Sequence, residues 1–265
     1  VLGVYSFIHP SSSTVLGGSG SGTSITVSGE DTTLAEAVSQ KCLPSVVNID
    51  VYTKQSSQTM MGMMGQTSDE LEESSLGSGI ILSSDGYILT NYHVIEGADQ
   101  LKVNAGGEEY IAQVVGTDES SDLAVLKIDA SGLTAIEIGS SSDLTVGEWV
   151  MAVGSPFGLE QSVSTGIVSA TSRTTSALND SSSGSSAVYT NMIQTDAAIN
   201  PGNSGGALVD KDGKLIGVNT LIASSSGSSS GVGFAIPVDY AMNIAQQIID
   251  GKTPSHAQLG ITGTT

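Results

Sequence analysis

The stretch NPGNSGGALVD, Asn200–Asp210, decides how the chain is read. One serine, Ser204, sits inside a glycine cluster, and GNSGG fits the pattern G-x-S-x-G of hydrolytic enzymes. Two unrelated architectures present a reactive serine in this way. In one it stands on a strand-to-helix elbow; in the other it stands in a glycine-rich loop between β-strands. The bland alternative is an ordinary loop serine. The residues after Ser204 separate the first two. GGALVDKDGKLIGVN reads as a β-hairpin with a KDG turn, not as a helix, and the parallel α/β alternation of an elbow fold is missing.

The rest of the chain agrees with β structure. It has 265 residues, 38% of them hydrophobic, enough for one sizeable globular unit or two small barrels sharing an interface. Its 33 glycines, with many Ser and Thr, imply numerous turns. SVVNIDVYT, GSGIILSSDGYILTNYHVI (two strands about an SSDG turn), LKVNAG, EEYIAQVVGTD and DLAVLKID form a first set of strands. EWVMAVGSP, SVSTGIVSATS, AVYTNMIQTD, GALVD, KLIGVNTLI and GVGFAIP form a second. Two successive sets of about six strands predict an all-β fold of two six-stranded antiparallel barrels. A short helix from an Asp31 N-cap to about Cys42, ended by Pro44, precedes them. A closing helix has Pro237 in its first turn, an apolar face of Ala241, Ile244, Ala245 and Ile248, and Gly251 at its end.

The predicted organisation is an N-terminal segment and Ser/Gly linker (1–30) and a main domain (31–250). The main domain divides into barrels at about 45–150 and 151–236 and a helix at 237–250, and a tail follows (251–265). Three stretches read as long loops: Lys54–Leu76, which holds TMMGMMG and the acidic run DELEE, Ser172–Ala187, and Ser224–Ser230. VLGVYSFI at the start is too short to span a bilayer; it reads either as a strand or, favoured by the linker behind it, as the trimmed end of a signal sequence or of a membrane anchor upstream.

Charge and composition exclude several classes. The formal net charge is −19, with only 8 Lys plus Arg. Such a surface repels phosphate backbones and anionic membranes, so nucleic acid is not an expected partner. The single cysteine, Cys42, allows no internal disulfide and reads as a buried structural thiol. No His/Cys cluster suggests zinc, GxxxxGK[ST] is absent, and DKDG at 210–213 lacks the full calcium-loop pattern. No metal and no cofactor is therefore expected.

A nucleophilic serine needs a base, a group to orient the base, and N–H donors for the developing oxyanion. The chain has three histidines. His9 lies in the N-terminal segment and His256 in the tail, while His93 lies in LTNYHVIEGA, at the end of a strand. Asp122, in SSDLAVLKI, is the best-placed carboxylate, with Asp118 and Asp129 competing on composition alone. The elbow order would run Ser204, Asp239 or Asp250, His256. The order His93, Asp122, Ser204 is instead that of the two-barrel proteases.

On these residues the chain resembles the protease domain of the HtrA (Deg) family, in the trypsin-like clan with the chymotrypsin fold. The matching segments are GSGIILSSDGYILTNYHVIEGA, SSDLAVLKID, VGEWVMAVGSPFGLEQSVSTGIVSA, IQTDAAINPGNSGGALVDKDGKLIGVNT and GVGFAIP, covering most of Gly77–Pro237. The resemblance implies a serine endopeptidase for unfolded or misfolded proteins, bacterial, extracytoplasmic, active in stress and usually trimeric, with one or two PDZ domains beyond the protease domain. The closing LGITGTT resembles the start of a PDZ domain. The resemblance also implies an oxyanion hole from the N–H groups of Gly202 and Ser204, with Asn203 between them. It implies loops near the site, at 155–163, 172–189, 198–203 and 219–232, that order and disorder. It implies a primary pocket based at Ala198, with Ile199, Asn219, Thr220, Leu221 and Ile222 around it. An uncharged pocket of this kind accepts Val, Ala or Ile; Asp196, nearby, is the one carboxylate to set against that. Neutral Asn203 cannot pair with a newly cut N-terminus. The rival reading is a chaperone-like peptide-binding relative whose protease site is held inactive.

Overall fold

A computed structural model describes residues 14–16, 25–27, 33–55, 70–155, 161–177, 187–222 and 231–256. Asp31, His9, VLGVYSFI, TMMGMMG, Ser224–Ser230 and LGITGTT lie outside them. Within the predicted linker, β1 (Thr14–Leu16) pairs antiparallel with β2 (Ile25–Val27). Both are rich in β-branched residues (TVL and ITV), a local preference that the surrounding Ser/Gly composition masks.

The first barrel is made of β3 (Val46–Gln55), β4 (Glu70–Ile81), β5 (Tyr87–Thr90), β6 (Gln100–Ala105), β7 (Glu108–Asp118) and β8 (Leu123–Lys127). The second is made of β9 (Trp149–Gly154), β10 (Ser162–Ala177), β11 (Ala187–Thr195), β12 (Ala207–Asp210), β13 (Leu215–Ile222) and β14 (Gly233–Pro237). Each closes on itself, and its own strands follow the same spatial order, 1-2-3-6-5-4. Closure leaves no free edge, and alternating side chains fill each interior. Ile49, Val103, Ala124 and Leu126 lie inside the first barrel, and Val150, Ile193, Leu208 and Ala235 inside the second.

A third apolar cluster joins the barrels. It takes Ile80, Leu89 and Val125 from the first barrel and Met151, Val153 and Val218 from the second. Two helices complete it. In α1 (Leu34–Cys42) the N-cap is Thr33, closed by a capping box with Glu36. The helix thus starts later than an Asp31 cap would place it, because Thr33 with Glu36 three residues on satisfies two orphan amides at once. Lys41 at its last turn reaches the β12–β13 turn, donating to the Asp212 carbonyl (2.7 Å) and pairing with Glu137 (3.0 Å). In α3 (Val238–Ile249) Ala241, Ile244, Ala245 and Ile248 are all buried, the predicted face. Pro237 is its N-cap and the last residue of β14, one position earlier than expected. Gly251 N–H to the Ile248 carbonyl and Lys252 N–H to the Gln247 carbonyl, both 2.9 Å, form a Schellman closure.

Two expected loops are shorter than their composition implies. The acidic run is strand: Glu70–Leu76 pairs with residues 50–55 of β3. Ser172–Ala177 likewise extends β10 against β11. In both cases cross-strand pairing outweighs a sequence poor in apolar residues. The KDG hairpin is as predicted, with the Asp210 carboxylate accepting from the Asp212 and Lys214 amides.

Ile248→Ala should cost about 2–5 kcal/mol of unfolding free energy, because it opens a void between α3 and the barrels. Urea denaturation would read it as a lower midpoint. Burial pushes the Cys42 thiol up to about 12; Lys41 opposes the shift and Asp210 and Glu137 add to it. The native protein should therefore resist thiol reagents in mildly alkaline buffer and react once unfolded.

Candidate active site

Ser204, His93 and Asp122 come together at the seam between the barrels. Thr90 ends β5, and the chain turns at once into the single helical turn α2 (Tyr92–Ile95), which carries His93. Asp122 comes directly after the short turn 119–121 that closes β7 and sits in left-handed backbone, φ 56° and ψ 44°. That conformation costs a non-glycine residue about 1 kcal/mol, and Asp tolerates it better than most. It is held from both ends. The Asp122 carbonyl accepts from Tyr92 N–H (3.2 Å) and Asn91 Nδ2 (2.9 Å), and its carboxylate accepts from His93 N–H at Oδ1 (2.9 Å).

The His93 ring meets the same carboxylate: Nδ1 to Oδ2 is 2.7 Å. The aspartate side chain is 3% exposed and the imidazole 40%, so the pair is fixed at its inner end and open at its outer end. A carboxylate oxygen accepts, so Nδ1 carries the proton and the Nε2 lone pair is left for another donor. Tyr189, from β11, lies in the field of this site. Its phenol is pushed up to about 12, by burial first and by the Asp122 charge second.

Ser204 is in the turn before β12. Its hydroxyl donates to the Thr220 carbonyl at 3.3 Å, and no hydrogen bond joins it to the His93 ring among the described residues. Asn203 N–H closes a turn onto the Asn200 carbonyl (2.9 Å), with Pro201 and Gly202 (φ 96°) at its centre, the pattern of a type II turn. Only a residue without Cβ takes the third place of such a turn easily. Neither the Gly202 N–H nor the Ser204 N–H donates to another group among the described residues. Two amide donors thus flank the serine without an internal partner.

The turn is fastened to the first barrel by Ser78 of β4. Ser78 N–H donates to the Ser204 carbonyl (2.9 Å), its hydroxyl donates to the Gly202 carbonyl (2.5 Å), and that hydroxyl accepts from Ser155 N–H (2.8 Å). Gly205 (φ 80°) makes the close approach possible: a Cβ there would lie 2.2 Å from the Ser78 carbonyl oxygen and 2.3 Å from Thr90 Oγ1. Asn203 is 5% exposed and satisfied within the second barrel, accepting from Ser162 Oγ (3.3 Å) and donating to the Ala198 carbonyl (3.4 Å).

The sequence-predicted pocket residues divide. Ala198 is half-buried, and its carbonyl also accepts from Ser164 Oγ (2.8 Å). Ile199 is 1% exposed and belongs to the second-barrel core. Asn219 is fully buried and turned inward, donating to the Ala207 carbonyl (2.9 Å). Both side chains are buried, Ile199 in the loop after β11 and Asn219 within β13. Thr220 offers its carbonyl to Ser204. Leu221 and Ile222 continue β13, and their side chains lie outside the described residues. The Asp196 carboxylate is tied to Ile167 N–H at 2.7 Å. Ser78, Asn91 and Thr90 are absent from the sequence expectations. The signal for Ser78 was present, a polar residue between two glycines at the start of an apolar strand run.

The trypsin-like peptidase domain model matches residues 77–218, and the chain belongs to that family. Within it, the similarity is to the HtrA (Deg) type. The chain is 50% identical over 191 residues to a DegP-like periplasmic serine endoprotease of Halomonas elongata, covering 72% of this chain and 38% of the relative. It is 44% identical over 250 residues to a DegP-like relative in a Marinomonas species, covering 84% and 51%. Among solved structures, the HtrA-type protease AlgW with a tripeptide aligns at a TM-score of 0.67 with 46% identity, covering 83% of this chain and 64% of that one. The chain thus spans about half or less of the length of these curated relatives.

Ser78→Ala would leave the Gly202 carbonyl and the Ser155 amide without their shared partner. Turnover of a peptide substrate should fall about 10²-fold, as when one oxyanion donor is misplaced, while the fold persists. Steady-state kinetics beside a thermal melt would check it. Unchanged turnover would mean that the Gly202 peptide is held by other means.

Proposed function

We propose that the protein is a cofactor-free serine endopeptidase of HtrA type in which Ser204, His93 and Asp122 carry the reaction. The observation that carries this reading is the 2.7 Å contact of His93 Nδ1 with the buried Asp122 carboxylate, beside a serine turn whose Gly202 and Ser204 amides have no partner among the described residues. Ser204 Oγ attacks the scissile carbonyl carbon as His93 Nε2 takes its proton. Asp122 holds the tautomer and stabilises the imidazolium. The Gly202 and Ser204 amides receive the oxyanion. His93 then returns the proton to the leaving amine, and water repeats the sequence on the acyl-enzyme. Before attack the Ser204 hydroxyl rotates from the Thr220 carbonyl toward His93, a change about one side-chain bond.

Substrates on this reading are unfolded proteins and peptides, bound extended along β13 by strand addition. The pocket at Ala198 carries no fixed charge, and engagement of Asp196 with Ile167 N–H supports a preference for Val, Ala or Ile before the cut. The names of the relatives support action in the periplasm or elsewhere outside the cytoplasm. A trimer, a membrane anchor upstream and a PDZ domain beyond residue 251 belong to the same proposal. The neutral, internally satisfied Asn203 supports activation by loop rearrangement rather than by a cut N-terminus. The unpartnered amides also favour a working enzyme over a binding protein with a closed site.

Casein should be degraded by the wild type, with cuts after Val, Ala or Ile mapped by mass spectrometry, and left intact by Ser204→Ala. Equal degradation by both proteins would remove Ser204 from the reaction.

A further inference from the structure

Asn91, two residues before His93, is fully buried between the barrels. Its Nδ2 group donates to the Asp122 carbonyl (2.9 Å) and to Thr220 Oγ1 (3.0 Å). The orientation of the amide is fixed by chemistry. A backbone carbonyl can only accept, and Thr220 Oγ1 already donates to the Val218 carbonyl (3.0 Å), so both neighbours need a donor. Its other end, Oδ1, is buried without a hydrogen-bond partner among the described residues. A buried orphan acceptor weighs against the fold, so the stability of the fold does not account for an asparagine here.

The two groups that Asn91 links are informative. One is the backbone of Asp122, in left-handed conformation, whose carboxylate orients His93. The other is Thr220 of the second barrel, whose carbonyl holds the Ser204 hydroxyl. Asn91, Tyr92 and His93 therefore grip Asp122 in succession, through a side-chain amide, a backbone amide and a backbone amide plus ring. Of these three, Asn91 is the one whose side chain hydrogen-bonds the opposite barrel among the described residues.

We infer that Asn91 is a positioning residue for the reaction: its amide sets the spacing between the Asp122–His93 pair on one barrel and Ser204 on the other. It touches no substrate and acts through Asp122 and Thr220. The inference rests on the proposed roles of Ser204, His93 and Asp122. Misplacing reacting groups by about 1 Å costs on the order of 10²-fold in rate. Loss of the link therefore falls on kcat, and KM, set along the strand that pairs with substrate, stays nearly constant.

The test compares Asn91→Ala, Thr220→Val and the double variant on one short peptide substrate, with Ser204→Ala as the control. The low-field NMR resonance of the His93–Asp122 proton is recorded for each. Asn91→Ala should lower kcat about 10–100-fold with KM within about 2-fold, and should shift or broaden that resonance. Thr220→Val should do the same more weakly, and the double variant should be no worse than Asn91→Ala, since both cut one link. If Asn91→Ala fails to fold, the nearly isosteric Thr220→Val carries the same expectation on kcat and on the resonance. Unchanged kcat and resonance in a folded variant, or fully additive losses, would overturn the inference. Wild-type activity surviving in Ser204→Ala would bring down the reading beneath it, an outcome distinct from a silent Ser204→Ala beside an unaffected Asn91→Ala.

Discussion

Everything in this molecule that bears on chemistry depends on how closely the Ser204 turn is pressed against the first barrel. The serine belongs to the second barrel and its proposed partners His93 and Asp122 to the first. Ser78 and Gly205 press the turn onto the barrel, beside the link that Asn91 makes from Asp122 to Thr220. Ser78 uses its amide and hydroxyl on two carbonyls of the serine turn, and Gly205 admits the contact because a side chain there would overlap the Ser78 carbonyl. Behind this polar seam, the apolar cluster shared by both barrels and by α1 and α3 makes the separation rigid. Polar groups fix the register and burial supplies the bulk of the free energy.

The same seam explains why the serine turn is ordered without an external charge. Asn203 is buried but neutral, and its amide is satisfied by Ser162 and Ala198 of its own barrel. A carboxylate in that place would need a buried cation, because an unpaired buried charge is far costlier than an unpaired amide. The turn is thus tied to β10 and to the segment that carries Ala198, so a shift of those segments would reach the Gly202 and Ser204 amides directly. Gln161, at the foot of β10, also bonds the carbonyls of Leu43 and Val46 (2.7 and 2.8 Å), so the end of α1 is joined to the same structure.

Much of this was legible in the sequence, for identifiable reasons. Strand alternation and turn residues mark two sets of about six strands, and the hairpin after Ser204 with the order His93, Asp122, Ser204 excludes the elbow architecture. What was not legible depends on tertiary pairing. Glu70–Leu76 reads as a solvated acidic loop, yet it is a strand because β3 runs opposite it. Ile199 and Asn219 belong to the expected pocket in sequence, but both are buried, Ile199 from a loop into the second-barrel core and Asn219 through its bond to the Ala207 carbonyl. Ser78 and Asn91 look like ordinary polar residues until the barrels are brought together. Their roles exist only across the seam, between segments that no local pattern relates.

The most direct test of the proposed chemistry is covalent labelling with a fluorophosphonate, an electrophile that reacts fastest with a base-activated serine beside oxyanion donors. Mass spectrometry of the modified protein would locate the adduct, in the wild type and in His93→Ala. One phosphonylated residue is expected, Ser204, with labelling abolished or slowed by several orders of magnitude without His93. An adduct on another residue, or labelling of Ser204 at an equal rate without His93, would contradict a His93-activated nucleophile at Ser204.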